Sequence, residues 1–190
     1  RLRRYPEARE IYLLLFASTK DLDTETRAAL HRVIGMCSIE LADFREAEPN
    51  LTQSIALNGL LGQRMEVFKG QRCLGILFIR RGDVDRGVQY LRPIRREFLS
   101  SGLAEEAGLC GLDIVEGLLV LGRTSTAEML ARRIIGEFTA AGLNTRAIGA
   151  LGYLTEALAA NRATATLVSE VREYIISLRT SPERDFARSS

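Results

Sequence analysis

The chain has 190 residues, of which 46% are hydrophobic and 6% aromatic, and it has no tryptophan. Its 26 basic and 24 acidic residues leave a net charge of +2 and are interspersed, which argues against the concentrated basic face of a nucleic-acid-binding domain. No apolar run reaches the roughly 18 residues that a membrane-spanning helix needs. We therefore expect a cytoplasmic protein for which this segment has neither nucleic acid nor membrane as a partner. Only four prolines and no strand-like alternation predict an all-α fold.

The first predicted element is a single helix over residues 6–18. The opening stretch resembles the one that begins at Ala42, because Tyr5 aligns with Phe44 and Ala8 with Ala47. The opening helix therefore corresponds to the second helix of a repeat, and the first helix of that repeat does not precede it. We expect the chain to be a piece of a longer protein. The apolar side chains left on this half-repeat predict a surface through which two chains could associate. They are Tyr12, Leu15 and Phe16.

Eight further helices are predicted, and they form four pairs. The pairs are 25–41 with 44–58, 63–81 with 84–101, 104–121 with 124–141, and 144–160 with 163–178. They divide a helical domain over 1–179 into a half-repeat at 1–22 and repeats at about 24–60, 63–102, 103–142 and 143–179. The remaining residues, 180–190, are polar and aperiodic, which predicts a disordered tail.

A hydrophobic–glycine pattern marks the first helix of each pair, at steps of 40, 40 and 37 residues. The pairs of residues are Ile34-Gly35, Leu74-Gly75, Ile114-Val115 and Leu151-Gly152. Small residues follow where the first helix should end, at Ala42, Gly82, Gly122 and Ala159, and again in the second helix, at Ala47, Gly87, Ala127 and Thr164. A glycine costs about 0.5–1 kcal/mol in a helix interior, so its recurrence predicts close approach of the two helices. Gly102 and Gly142 each follow a matching Glu-Phe sequence and are expected to be left-handed C-caps.

These residues resemble those of the tetratricopeptide repeat family, and the stretch from Leu41 to Ala47 (Leu-Ala-Asp-Phe-Arg-Glu-Ala) is the closest local match. The step of forty exceeds the family's usual 34, and the family's closing proline is absent. The chain is similar to the longer, roughly 40-residue bacterial variant of the family. This resemblance implies a right-handed α-solenoid of antiparallel helix pairs, with about four repeats after a leading half-repeat.

The resemblance also implies that first helices line a concave face that binds a peptide or a partner helix. The positions implied for partner binding are Arg32, Met36, Glu40, Lys69, Arg72, Ile76, Arg80, Asp113, Glu116, Leu119, Arg146 and Tyr153. The first half of this face is mainly basic and the second mainly acidic. Our hypothesis is that an acidic portion of the partner lies over Arg72 and Arg80.

Other candidate chemistry is weak. His31 is the single histidine, and the three cysteines are too widely spaced for a metal site or a disulfide framework. Glu105, Glu106, Asp113 and Glu116 could suggest paired carboxylates, and their spacing places Glu106, Asp113 and Glu116 near one helix face. A solvated or groove-facing surface is the favoured interpretation. The arginines at 92, 95, 96, 132 and 133 lie on second helices and are interpreted as solvent-exposed rather than as a phosphate-binding patch. We predict no catalytic residue, metal or cofactor.

The leading functional hypothesis is a noncatalytic protein-interaction module, the repeat portion of a larger bacterial regulatory or scaffolding protein. The second is the sensing domain of a bacterial transcriptional regulator, which would close around a small ligand or short peptide. The third is an α-helical enzyme whose weakly indicated groups cluster on folding. The identity of the protein or peptide partner does not follow from the sequence.

Overall fold

A computed structural model describes residues 4–18 and 22–186, and within these ranges the protein contains nine α-helices and no strand. The helices are α1 (Tyr5–Ser18), α2 (Thr24–Glu40), α3 (Phe44–Leu60), α4 (Arg64–Arg80), α5 (Val84–Ser100), α6 (Ala104–Val120), α7 (Thr124–Ala140), α8 (Thr145–Ala159) and α9 (Ala165–Ser177). Each predicted helix is present, with its ends within two residues of the expected positions, and the all-α class is confirmed. None of these helices is long and apolar enough to cross a membrane.

Seven connections between helices contain a residue in the left-handed backbone conformation. In chain order they are Ala42, Gly62, Gly82, Gly102, Gly122, Gly142 and Asn161, with φ between 55° and 98°. The first six follow one another at intervals of 20 residues. The expected left-handed caps at Gly102 and Gly142 are therefore confirmed. The last of these helices, α8, ends at Ala159 as the alignment placed it, and its left-handed residue Asn161 follows two residues later.

The hydrogen bonds around these residues are those of the Schellman C-cap. At the end of α5, the Gly102 N–H donates to the Leu99 carbonyl (3.0 Å) and the Leu103 N–H donates to the Phe98 carbonyl (2.9 Å). The end of α7 repeats this arrangement, with the Leu143 N–H donating to the Phe138 carbonyl at 3.0 Å. These bonds satisfy carbonyls that have no partner within the helix, so each helix stops at a defined residue and the chain reverses.

The helices form two compact units, one covering the chain up to Tyr90 and the other from Leu91 onward. In the first unit, α1 packs on α2, α2 on α3 and α3 on α4, and the two first helices α2 and α4 also touch. One core cluster joins Ile39, Ala47, Leu51, Cys73, Leu77 and Phe78. Sequential neighbours therefore pack together in this unit, as expected of stacked helical hairpins.

In the second unit, α6 packs on α7, α7 on α8 and α8 on α9, and α9 returns to contact α6. The first helix α6 of one pair thus meets the second helix α9 of the next pair. Every residue of α6 from Ala107 to Leu118 is buried. A helix that is enclosed on all sides in this way forms the centre of its unit.

The recurring glycines fall into two groups. A methyl group added to Gly35 would lie 2.8 Å from the Leu51 side chain and 3.3 Å from the Ala47 carbonyl, and one added to Gly87 would lie 2.9 Å from the Gly75 carbonyl. The close approach predicted for these repeats is present. The same explanation is wrong for Gly152, where no atom lies within 4 Å of the added methyl group.

We expect Gly87→Ala to destabilise the protein by about 1–2 kcal/mol, because the new methyl group would overlap the backbone of α4 and overpacking typically costs about 1–3 kcal/mol. The matched control is Gly149→Ala in α8, where nothing lies within 4 Å and where the gain in helix propensity should add about 0.5–1 kcal/mol. Chemical denaturation of both variants measures the difference. Equal stability changes would contradict the packing explanation.

Ala42 carries a side chain at a left-handed position (φ 57°) where five of the other connections have glycine. The left-handed conformation costs a non-glycine residue roughly 1–2 kcal/mol, so Ala42→Gly should raise the free energy of unfolding by about 0.5–1 kcal/mol. The control is Ala56→Gly on the exposed side of α3, which should lower it by a similar amount. A loss of stability in the Ala42 variant would show that this residue is not strained.

Candidate functional site

The first unit brings together two of the predicted partner-binding cations on neighbouring first helices. These cations are Arg32 of α2 and Lys69 of α4, and both form ion pairs with Glu66 of α4. The Glu66 Oε2 atom lies 3.1 Å from Arg32 Nη2, and its Oε1 atom lies 2.6 Å from Lys69 Nζ. The three side chains are each about 30% exposed. They form a partly solvated charged surface where α2 meets α4, with two cations for one carboxylate.

The other predicted residues of the first unit lie along the same two helices. Met36 and Ile76 are partly buried and pack against the core cluster, each leaving part of its side chain accessible. Glu40 and Arg72 are half-buried, and Arg80 is exposed at the end of α4. The structure therefore places cationic and apolar side chains at successive turns of α2 and α4.

In the second unit, the structure differs from the expectation for Asp113 and Glu116, which were predicted to face solvent or a groove. Their side chains are 1% and 5% exposed. Arg172 of α9 places its Nη1 atom 2.7 Å from Asp113 Oδ1 and 2.8 Å from Glu116 Oε2, and its Nη2 atom donates to the Ser169 hydroxyl. The return of α9 onto α6 buries both carboxylates, so neither is presented to a partner on an open surface.

The remaining predicted residues of this unit are Leu119, Arg146 and Tyr153. Leu119 is half-buried at the end of α6. Arg146 and Tyr153 of α8 contact residues 181–186, which we call the C-terminal segment. Arg146 forms ion pairs with Glu183 (3.4 Å) and Asp185, and the ring of Tyr153 lies 6.0 Å from that of Phe186.

The predicted disorder from residue 180 onward therefore differs from what the structure shows for the C-terminal segment. The Tyr174 hydroxyl donates to the Arg184 carbonyl at 2.6 Å, and the Asn144 side-chain amide donates to the Pro182 carbonyl at 3.1 Å. The Phe186 ring also packs edge-on against Tyr174, at 5.0 Å between centroids. Residues 187–190 lie outside the described residues.

The other candidate side chains have structural partners. His31 Nδ1 lies 2.8 Å from the Asn50 side-chain oxygen, and its ring packs edge-on against Phe16. All three cysteines are buried and reduced, and burial raises the pKa of the Cys37 thiol. No group of three or more potential ligands in the described part of the chain could hold a metal ion.

The half-repeat at the N-terminus keeps apolar side chains in solvent. Helix α1 packs on α2 but contains no buried residue. Leu15 is 44% exposed, whereas Tyr12 and Phe16 are half-buried. The most exposed apolar residues of this helix are Ile11 and Leu14, at 62% each, and the predicted association surface did not include them.

The burial of two arginine side chains was not predicted from the sequence. Arg172 and Arg95 are 8% and 6% exposed. Arg172 occurs four residues after Val168 and three before Ile175, and Arg95 occurs four after Leu91 and three before Phe98. In both cases the arginine occupies the apolar phase of an amphipathic helix, and this periodicity is the signal that could have identified it.

Comparison with known proteins found no matching family model, no matching curated protein and no matching solved structure.

Replacing Arg172 should be far more costly than replacing the exposed Arg179, although both pair with acidic residues of α6. Arg172→Met leaves two buried carboxylates without this guanidinium, and breaking a buried pair costs about 3–5 kcal/mol. Arg179→Met, at a side chain that is 45% exposed, should cost about 0–1 kcal/mol. Denaturant unfolding monitored by circular dichroism measures both. Similar losses of stability in the two variants would show that the buried ion pairs of Arg172 contribute no more than the exposed ion pairs of Arg179.

Proposed function

We propose that this chain is a noncatalytic protein-interaction module that binds an acidic peptide segment of a partner on the surfaces of its first helices. The observation that carries the proposal is the acidic C-terminal segment, which includes a turn at Pro182 and Glu183 and which the second unit holds against α8 and α9. Its Glu183 and Asp185 carboxylates meet Arg146, and its Phe186 ring contacts Tyr153. Both receiving residues belong to the set predicted for partner binding.

The contacts to the C-terminal segment are of two kinds, hydrogen bonds to its main chain and contacts that select its side chains. The bonds from Asn144 and Tyr174 to main-chain carbonyls do not depend on the side chains of the bound segment. The Arg146 ion pairs select acidic side chains, and the two tyrosines select an aromatic ring beside them. Such charges raise the rate and specificity of association more than the affinity. The recognised feature would therefore be an acidic residue directly followed by an aromatic one, as in Asp185-Phe186.

The first unit offers a similar combination of side chains. Arg32 and Lys69 share the single carboxylate of Glu66, and Met36 and Ile76 add partly accessible apolar area. This arrangement supports the hypothesis that an acidic portion of the partner also contacts the first helices of this unit. A right-handed α-solenoid of the tetratricopeptide type, with four repeats after a half-repeat, remains part of the proposal. The 20-residue recurrence of helix caps supports it.

A peptide that copies residues 180–186 tests this function. The C-terminal segment of the same chain competes at an effective concentration that reaches the millimolar range for short links, so the protein is first changed by Asp185→Ala and Phe186→Ala to vacate the surface. We expect the labelled peptide to bind this vacated protein at least tenfold more tightly than the unchanged chain, measured by fluorescence anisotropy. Equal binding to both proteins would contradict the proposal.

Reversing the charge of Arg146 tests whether this residue binds the acidic side chains of the peptide. In the vacated protein, Arg146→Glu should weaken peptide binding by roughly tenfold, because like charges placed together are repulsive, and a peptide carrying Asp185→Lys should recover it. The control is Arg162→Glu, which changes an exposed arginine in the connection between α8 and α9 and should leave the affinity unchanged. Equal effects at the two arginines would show that only the overall charge matters.

A further inference from the structure

We propose that the second unit contains a binding pocket for an amphipathic organic anion, a molecule with a carboxylate or phosphate head group and a hydrocarbon body. The cavity has a volume of about 510 Å³, which is within the range of small-molecule sites. It is formed by the C-terminal half of α5, by α6 and by α7. Its lining residues are Arg92, Arg95, Arg96, Ile114, Leu118, Thr126, Met129, Leu130 and Arg133. We call it the arginine pocket.

The charge of the pocket is of one sign. Arg92, Arg95 and Arg96 are spaced by three and four residues, which places them on one face of α5, and Arg133 contributes a fourth guanidinium from α7. Among the residues that the structure describes in the cavity wall, none is acidic. Because a concave site with cations of one sign concentrates the opposite charge, the ligand is an anion.

Arg95 is the buried arginine of this site, and the surrounding helices hold it in place. It is 6% exposed, its Nη2 atom lies 2.5 Å from Glu137 Oε2, and its buried Nε–H group has no hydrogen-bond partner among the described residues. A buried donor without an acceptor is destabilising, and its presence in a cavity wall calls for an explanation. Glu137 pairs with one end of the guanidinium, and a bound anion would bring a further acceptor beside Arg95.

Helix α6 is shaped to accept this guanidinium. A methyl group added to Gly111 would lie 3.0 Å from Arg95 Nε and 2.7 Å from Ile134 Cδ1. Glycine at this position therefore leaves the space that the arginine occupies. The sequence-based interpretation of Arg95 as solvent-exposed is wrong, because α6 and α7 enclose it.

The other three arginines are available to a ligand. Arg92, Arg96 and Arg133 are exposed, and within the part of the chain that the structure describes they make no ion pair or side-chain hydrogen bond. Glu137 is the acid paired with Arg95, and the neighbouring Glu128 is paired with Arg132, outside the cavity. The head group of the ligand would therefore meet several guanidinium groups that no carboxylate of the described chain neutralises.

The apolar lining indicates the second property of the ligand. Ile114 and Leu118, one turn apart on α6, are 2% and 1% exposed, and Leu130 of α7 lies beside them in the cavity wall. Met129 is 64% exposed, an unusual position for a large apolar side chain. The apolar surface that water reaches in this wall is mainly that of Met129, with part of Leu130. An inorganic ion would leave it in contact with water, whereas a hydrocarbon chain would cover it.

Displacement of the fluorescent anion 8-anilinonaphthalene-1-sulfonate from the full chain tests the proposal. The competitors are decyl phosphate, decanoate, inorganic phosphate and decyltrimethylammonium, each below its micelle-forming concentration. We expect decyl phosphate or decanoate to displace the probe, and their ratio identifies the head group. Inorganic phosphate and the cationic amphiphile should be at least tenfold weaker. Equal displacement by the cationic amphiphile, or none by either anionic amphiphile, would overturn the proposal.

Variants locate the binding. Arg96→Gln with Arg133→Gln should weaken the anionic amphiphile at least tenfold, and Met129→Asp, at an exposed position on the pocket wall, should weaken it similarly by repulsion. The matched control is Arg132→Gln with Arg162→Gln, which removes the same charge from exposed positions outside the cavity and should change the affinity less than twofold. Unchanged binding in the pocket variants, or an equal loss in the control, would overturn the assignment. None of these substitutions touches the residues that hold the C-terminal segment.

Discussion

The left-handed residue that follows each helix from α2 to α8 is the constraint on which the rest of the structure depends. A helix leaves its last carbonyls without partners, and the paired bonds at Gly102 and Leu103 show how this chain satisfies them. Each of α2 to α7 has 17 residues, and the connections that follow have three residues after α2 to α6 and four after α7. Because these helices stop at equivalent residues, the apolar faces of successive helices recur in matching positions, and the buried cores can form.

The elements that the sequence could predict are those set by local chemistry. Helix bounds follow from the spacing of apolar residues and from the glycines at 62, 82, 102, 122 and 142, because a positive φ angle strongly favours glycine. Close approach at Gly35 also follows, because a recurring helical glycine needs a compensating contact. Gly152 looks the same in the sequence and has no such contact. Local patterns therefore predict where the helices begin and end, but they do not predict which helix packs against each face.

The features that the sequence could not supply depend on contacts between distant residues. The contact of α9 with α6 brings Arg172 to two carboxylates that lie 56 and 59 residues away, and it converts an expected open face into a buried network. Composition predicts disorder at the C-terminal segment because polar residues bury little surface. Its order comes instead from Arg146, Tyr153 and Tyr174 on two preceding helices. Both differences concern the candidate site, where long-range pairing decides what is accessible.

The 20-residue interval between helix caps also restricts how such a chain can change its length during evolution. Insertion of a single interval would add one helix and reverse the direction of every helix after it, exchanging the roles of first and second helices. Duplication of two intervals, such as those from Gly62 to Gly102, would add a complete hairpin and leave the later helices in their original orientation. Tolerated gains and losses should therefore occur in blocks of about forty residues, each bounded by equivalent caps.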